Sequence, residues 1–379
     1  MDSIALYVHV PWCVKKCPYC DFNSHQVKQA IDSEQYLQAL KQDFEQDWQK
    51  VSKRSLSSIF IGGGTPSIMP VSFYEGLLKF LSDVATLDDD IEITLEANPG
   101  TAEAEKFSGF RKAGINRLSL GFQSLNDDAL IKLGRIHDAG QAIKAYEMAQ
   151  SAGFNNINID LMFALPGQNL PAAMGDLQNV IDLQPQHISW YQLTLEPNTA
   201  FYASPPPAIP EDDAAWEIQL AGRQILKNSG YRQYEISAYA SEGRTCRHNL
   251  NYWQYGDYLG IGAGAHGKFR NTKKDFIRNS KKRSPNDFLK GKYLSKSQIL
   301  GHTDLTAEYF MNRLRLGETF DLTHYEKQTG LKGDDLSELL DKAIEKELLE
   351  SQLNETGESI YRVTPLGHQY LNELISLFL

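Results

Sequence analysis

Short apolar runs alternate with longer stretches whose apolar residues recur every three or four positions through the first half of the chain. The runs Ile4–Val10, Ser58–Ile61, Ile91–Ala97, Arg117–Phe122, Asn156–Phe163 and His187–Thr194 read as strands. Between them, Ser33–Val51, Val71–Val84, Glu103–Lys112, Asp138–Ala152 and Leu170–Leu183 carry helical periodicity. Alternation of this kind predicts repeated βα units on a parallel sheet. Uninterrupted apolar stretches such as Ile59-Phe60-Ile61 suit strands covered on both faces. About six units in the first 200 residues fit a partial (β/α)6 barrel, although an open doubly wound sheet shares the pattern.

The second half is less regular. A helix at Asp212–Asn228 precedes strand-like Tyr231–Tyr239 and the glycine-rich run Gly256–Gly267. The segment from Lys268 to Lys296 has little hydrophobic periodicity and reads as a loop or extended arm. Beyond His302, helical stretches at Ala307–Arg315, Leu322–Thr329 and Asp334–Lys346 are followed by a hairpin, Leu348–Val363, and a final helix from Leu366. Helices followed by a β-wing predict a small winged-helix-like α+β domain. The expected organisation is a barrel over 1–200, an extension over 201–300 and a C-terminal domain over 301–379.

Charge changes this picture in one place. The chain carries a net −10, which argues against a nucleic-acid-binding protein. Between Lys268 and Lys296, however, stand eleven Lys/Arg and two Asp, a net of +9. That stretch is either a solvated loop or a basic face drawn to an anionic membrane surface or a carboxylate-bearing ligand. The helices of the C-terminal domain mix signs (Glu326, Lys327, Lys332, Asp334, Asp335, Glu338) and offer no basic recognition face. The N-terminal Met1-Asp2-Ser3-Ile4 lacks a signal-peptide pattern, and no apolar run is long enough for a bilayer span. A cytoplasmic protein is expected, at most peripheral to the inner face of a membrane.

Three of the four cysteines, Cys13, Cys17 and Cys20, fall within eight residues directly after the first strand. Such crowding suits a metal or redox site rather than a disulfide framework. Spacings of three and then two residues let one loop wrap a face of an iron–sulfur cubane, which thiolates ligate. Three ligands leave one iron open to a small molecule. Zinc, with His25 as a fourth donor, is the competing reading.

A second signal closes the next strand, Ile61-Gly62-Gly63-Gly64-Thr65-Pro66. Glycines there let a ligand approach the backbone, at the strand ends where parallel sheets collect ligands. Glu96, Gln123 and Asp160 recur at or near later strand ends, with Arg135 following, and together form a polar rim.

The C-x3-C-x2-C motif after an N-terminal strand resembles the radical-SAM superfamily, and the likeness to its oxygen-independent coproporphyrinogen oxidase branch runs over nearly the whole chain. That resemblance implies a [4Fe-4S] cluster on Cys13, Cys17 and Cys20. It also implies S-adenosylmethionine held by Tyr7, Tyr19, Gly63, Gly64, Thr65, Glu96, Gln123, Arg135 and Asp160. The chemistry implied is reductive cleavage of the sulfonium to methionine and a 5′-deoxyadenosyl radical.

Within the branch, the oxidases carry a further cysteine two residues after the third ligand, where this chain has Phe22, and an N-terminal extension. The motif His248-Asn249-Leu250-Asn251-Tyr252-Trp253, with Tyr234-Glu235-Ile236-Ser237 upstream, instead resembles the heme chaperones of the HemW type. This implies heme bound through His248, Tyr252 and Trp253 and delivered to recipient hemoproteins, membrane respiratory enzymes among them. Imidazole is a common axial ligand, and aromatic faces suit a porphyrin plane. Cys246 is a second candidate ligand or a buried thiol. Oxidative decarboxylation of coproporphyrinogen III is the alternative function, and the need for SAM cleavage and the oligomeric state, a homodimer included, stay open.

Overall fold

The computed structural model describes residues 3–51, 54–100 and 104–379. Six strands follow the apolar runs: β1 (Ser3–Val10), β2 (Ser55–Gly63), β3 (Thr86–Ala97), β4 (Arg117–Gln123), β5 (Ile157–Phe163) and β6 (His187–Gln192). They lie parallel in chain order. Successive positions are buried in these strands, Ala5 with Leu6, His9 with Val10, Ser58 with Ile59 and Asn158 with Ile159, as expected of strands packed on both faces.

Crossover helices α1 (Ser33–Trp48), α2 (Val71–Val84), α3 (Phe107–Ala113), α4 (Ala139–Ser151) and α5 (Leu170–Asp182) match the periodic stretches. Their starts are fixed by side-chain caps: Asp32 accepts from Gln35 N–H, Asn169 from Ala172 N–H, and Asp138 forms a reciprocal capping box with Gln141. The third helix begins at Phe107, and its expected start at Glu103 lies outside the described residues, as do Met1 and Asp2.

Residues 201–300 contribute α6 (Asp212–Asn228), β7 (Arg232–Glu235), β8 (Ala238–Ala240), α7 (Arg247–Trp253), β9 (Tyr258–Ile261), β10 (His266–Arg270), β11 (Phe276–Lys281) and β12 (Leu294–Ile299). The main sheet runs β12-β11-β10-β9-β1-β2-β3-β4-β5-β6-β8-β7, with β9 parallel to β1 as a seventh parallel strand. Its two edges are different strands, so the barrel is open and partial.

The segment 268–296 is not the loop or arm expected from its sequence. It supplies most of three antiparallel strands that continue the sheet. Its periodicity is masked because the inward positions include cations. Lys268 and Lys281 are almost wholly buried, Lys268 beside Asp257 at 3.1 Å and Lys281 beside Asp43 at 2.5 Å and Asp47 at 2.7 Å. A buried charge is tolerated only with such partners. What reads as a solvated charge run is thus partly the inner lining of a sheet edge.

The C-terminal unit has its own core, built on Tyr309, Phe310, Leu340, Val363 and Leu374. It comprises α8 (His302–Arg313), β13 (Phe320–Asp321), α9 (Leu322–Thr329), α10 (Ser337–Glu345), β14 (Leu349–Leu353) and β15 (Ser359–Val363), then two short terminal helices. The strands pair in the order β13-β15-β14, a three-stranded wing beside helices. Among the described residues no helix is long and apolar enough to cross a membrane.

Candidate functional site

The C-terminal ends of the parallel strands open into a cavity of about 360 Å³. Cys13, Cys17 and Cys20 line it with Gly63, Gly64, Thr65, Glu96, Gln123, Arg135, Asp160 and Tyr19. Twelve of the sequence-selected residues were assigned to the cluster and nucleoside; of these only Tyr7 does not reach the lining. Tyr7 sits one layer behind, its hydroxyl sharing a 2.9 Å hydrogen bond with His9 Nδ1.

The cysteine loop is held from several sides. Trp12–Cys13 pairs with His25–Gln26, and Thr65 N–H donates to Trp12 O at 2.7 Å. Cys20 N–H donates to Cys17 O, folding the last two ligands into a turn. Asn23 ties the loop to the sheet extension, its amide donating to Ala263 O and Arg283 O at 2.9 Å each, while its own carbonyl bonds His9 Nε2. Burial pushes the Cys13 and Cys20 thiols up from their ordinary value, a cost that ligated metal reverses. Arg135 Nη1 lies 3.5 Å from Cys17 Sγ and 3.4 Å from the Tyr19 hydroxyl, placing a fixed cation beside the thiols.

The glycine shelf is shaped as much by the chain itself as by a ligand. Gly63 has φ +120°, and a Cβ there would stand 2.7 Å from the His9 ring; one on Gly64 would stand 2.4 Å from Trp12 O. The two glycines therefore let the shelf press against the cysteine loop, and Thr65 and Asn98 extend the surface through a 3.1 Å bond.

Below the shelf lies a polar floor. Glu96 accepts Gly63 N–H at 3.1 Å, and burial, with Asp160 adding repulsion, raises its carboxyl to about 8. Asp160 accepts from Asn158 at 2.7 Å and Ser119 at 3.1 Å, and burial raises it as well. Gln123, at φ 69°, accepts the Tyr191 hydroxyl at 2.7 Å. Asn98, Ser119 and Tyr191 were missed by sequence reasoning. Asn98 and Tyr191 lie at or near strand C-terminal ends, so the signal that selected Glu96 and Gln123 also marked them, whereas Ser119 sits early in β4 and carried no such signal.

The residues present fit a cluster and a zwitterionic nucleoside. The thiols surround the cavity rather than one point: among the described residues no three His, Cys, Asp or Glu side chains are grouped to hold a single ion. A cubane asks instead for one thiolate per iron. Among the described residues the buried Nε of Arg135, on the cavity wall, has no acceptor, and the Glu96 carboxyl on the floor has no cation against it. His25, the fourth donor of the zinc reading, is turned to Arg283 O at 3.3 Å.

The aromatic motif is placed differently from expectation. His248 is fully buried on α7, with Nδ1 bonded to Ser58 Oγ at 2.9 Å, Nε2 to the Tyr252 hydroxyl at 2.9 Å, and its ring stacked on Phe60. Both nitrogens are hydrogen-bonded within the protein, so this geometry does not present His248 as an iron ligand. Burial, with Arg117 nearby, lowers its imidazole to about 3 and keeps it neutral. Cys246 is likewise buried, its thiol against Glu92 at 3.5 Å and raised to about 12 by burial. Glu92 also accepts the Arg247 and His248 N–H groups, so one carboxylate holds the start of α7. Tyr252 and Trp253 do line a cavity, about 200 Å³, with Tyr255, Tyr258, Lys268 and Arg278.

Residues 7–176 match the model of the radical SAM superfamily. The heme chaperone HemW of Haemophilus influenzae is 48% identical over 100% of this chain and 98% of that protein. HemW of Escherichia coli is 45% identical over 100% and 99%. Among solved structures, the coproporphyrinogen III oxidase HemN of E. coli, a radical SAM enzyme, superposes with a TM-score of 0.82 at 24% identity, covering 100% of this chain and 90% of that one. That last likeness is one of fold.

Proposed function

Because this chain belongs to the HemW heme chaperone family of radical SAM proteins, we propose that it binds a [4Fe-4S] cluster, S-adenosylmethionine and heme, and delivers the heme to recipient hemoproteins. The observation that carries the cofactor half is the meeting of three thiols, the Gly63–Thr65 shelf and the Glu96–Asp160 floor in one cavity. Cys13, Cys17 and Cys20 hold the cluster. Arg135 and Asn98 would hold the amino-acid end of the nucleoside, and Glu96, Gln123 and Asp160 would offer acceptors to it, the two carboxyls able to ionise beside its cationic sulfonium. When bound, the pair supplies one-electron reductive chemistry. The chain's own part is to orient the ligand, exclude water and keep Glu96 and Asp160 where ionisation responds to a bound cation.

Full-length identity to proteins named heme chaperones carries the cargo half. Phe22, at the place of the oxidases' extra cysteine, is 58% exposed beside the cavity mouth and brings no thiol there. His248 enters heme binding as the pin of α7, with Tyr252 and Trp253 as the members of the motif that reach a cavity. A cytoplasmic location is part of the same reading. Exposed cations on the sheet extension, Lys273, Lys274, Arg283 and Lys292 among them, support contact with an anionic membrane surface, and a homodimer is the assembly to test beside it.

Anaerobic reconstitution with iron and sulfide, followed by heme titration and an assay on coproporphyrinogen III, tests the proposal. A brown chromophore, a Soret band and no protoporphyrinogen are expected. Robust decarboxylation would promote the oxidase reading, and full zinc occupancy without iron would defeat the cluster assignment.

A further inference from the structure

A second polar cavity, of about 450 Å³, lies where the β7 edge of the main sheet meets the C-terminal unit, well away from the thiols in the fold. Arg223 reaches it from α6, Gln233, Tyr234 and Glu235 from β7, Arg315 from the turn after α8, Glu350 and Arg362 from paired wing positions, and His368 from the terminal helices. Three guanidiniums thus face two carboxylates.

The carboxylates neutralise only one of them, Arg315, through Glu235. Glu235 is already committed, accepting Ser237 N–H and Oγ–H at 2.9 Å each and Arg315 at 3.0 Å. Among the described residues neither Arg223, beside the Tyr239 hydroxyl, nor Arg362, opposite Glu350 on the wing, forms an ion pair. The Nε groups of Arg223 and Arg315 are buried without an acceptor among the described residues. Both forks are nonetheless steadied by aromatic rings, Arg223 over Trp216 at 5.8 Å and Arg315 over Trp253 at 4.4 Å. Leaving buried guanidinium donors unmet costs stability, whereas an oxyanion accepts two parallel N–H bonds from each fork.

We propose that this cavity binds a small anion bearing phosphoryl or carboxylate oxygens, clamped by Arg223, Arg315 and Arg362. Such a ligand touches β7 of the main sheet and the wing of the C-terminal unit, and ties one to the other. The inference does not depend on the heme or cluster assignments.

Calorimetric titration of the full-length, cluster-reconstituted chain in chloride buffer tests it, with pyrophosphate and citrate as separate probes. Saturable binding of either is expected, and which one binds assigns the oxygen chemistry. Arg223→Gln and Arg362→Gln are each expected to weaken it at least tenfold; Arg362 is exposed on the wing, so its variant keeps the test alive if Arg223→Gln does not fold. No saturable heat with either probe overturns the proposal. So does undiminished affinity in Arg362→Gln, or binding lost in Arg135→Gln alone, which would place the anion in the thiol cavity.

Discussion

Replacing His248 with alanine is expected to damage the fold before it damages heme ligation. The imidazole is fully buried, stacks on Phe60 and bonds two hydroxyls. Truncating a buried ring leaves a cavity worth about 2–3 kcal/mol for a side chain of this size. The Ser58 and Tyr252 hydroxyls lose their partner, adding about 1–2 kcal/mol, the lower end of the range because Tyr252 borders a cavity and can rehydrate. The sum, about 3–5 kcal/mol, is a large share of a typical domain's stability. Ser58→Ala removes one of the two bonds and no candidate ligand, so it should cost about 1 kcal/mol. Urea denaturation of the wild type and both variants, run beside heme titration, checks this. The Soret amplitude is expected to follow the folded fraction in all three. A His248→Ala protein with the wild-type urea midpoint and no Soret band, beside a Ser58→Ala protein with a normal one, would refute the reasoning and restore the imidazole as ligand.

Three further outcomes are expected. Alanine at Cys13, Cys17 or Cys20 should abolish the iron–sulfur absorption of reconstituted protein, whereas alanine at Cys246, buried against Glu92, should leave it. Gly64→Ala touches no thiol, yet its Cβ meets Trp12 O at 2.4 Å, so iron content per chain should fall as the adjoining Cys13 is pushed away; wild-type iron content would show that the loop gives way freely. Glu96 has a folded carboxyl raised from 4.5 to about 8, so between those values the folded state binds more protons than the unfolded one. Its contribution therefore favours folding at low pH and is lost as pH rises toward 8. Urea midpoints of the cluster-free Glu96→Gln chain should fall less than wild type between pH 5.5 and 8, and parallel pH profiles would reject the buried-carboxyl account.

The parallel strands and most of their helices were legible because burial on both faces leaves continuous apolar runs, as in Ile59-Phe60-Ile61, and because Asp32, Asp138 and Asn169 announce helix starts. The site was legible for a related reason: strand ends are where ligands gather, and Cys13, Gly63 and Glu96 sit at or near those ends in the chain, whereas Asp160 lies in the middle of β5. Two things were hidden. Lys268 and Lys281 occupy inner positions of strands, and their partners Asp257, Asp43 and Asp47 lie elsewhere in the sequence, so local pattern read the segment as solvated. Tyr7 and His248 carry ligand-like chemistry, but what they bond, His9 in one case and Ser58 and Tyr252 in the other, is set by packing across strands.

The tie from Asn23 to Ala263 and Arg283 joins positions 240 and 260 residues apart. A ribosome adding about 5–20 residues per second takes roughly 13–50 s to travel that far. The thiol loop is therefore made well before this pair of its anchors. A nascent or prematurely ended chain that stops short of Arg283 keeps the braces from Thr65, His25–Gln26 and Arg135 but lacks part or all of the Asn23 tie to the sheet extension.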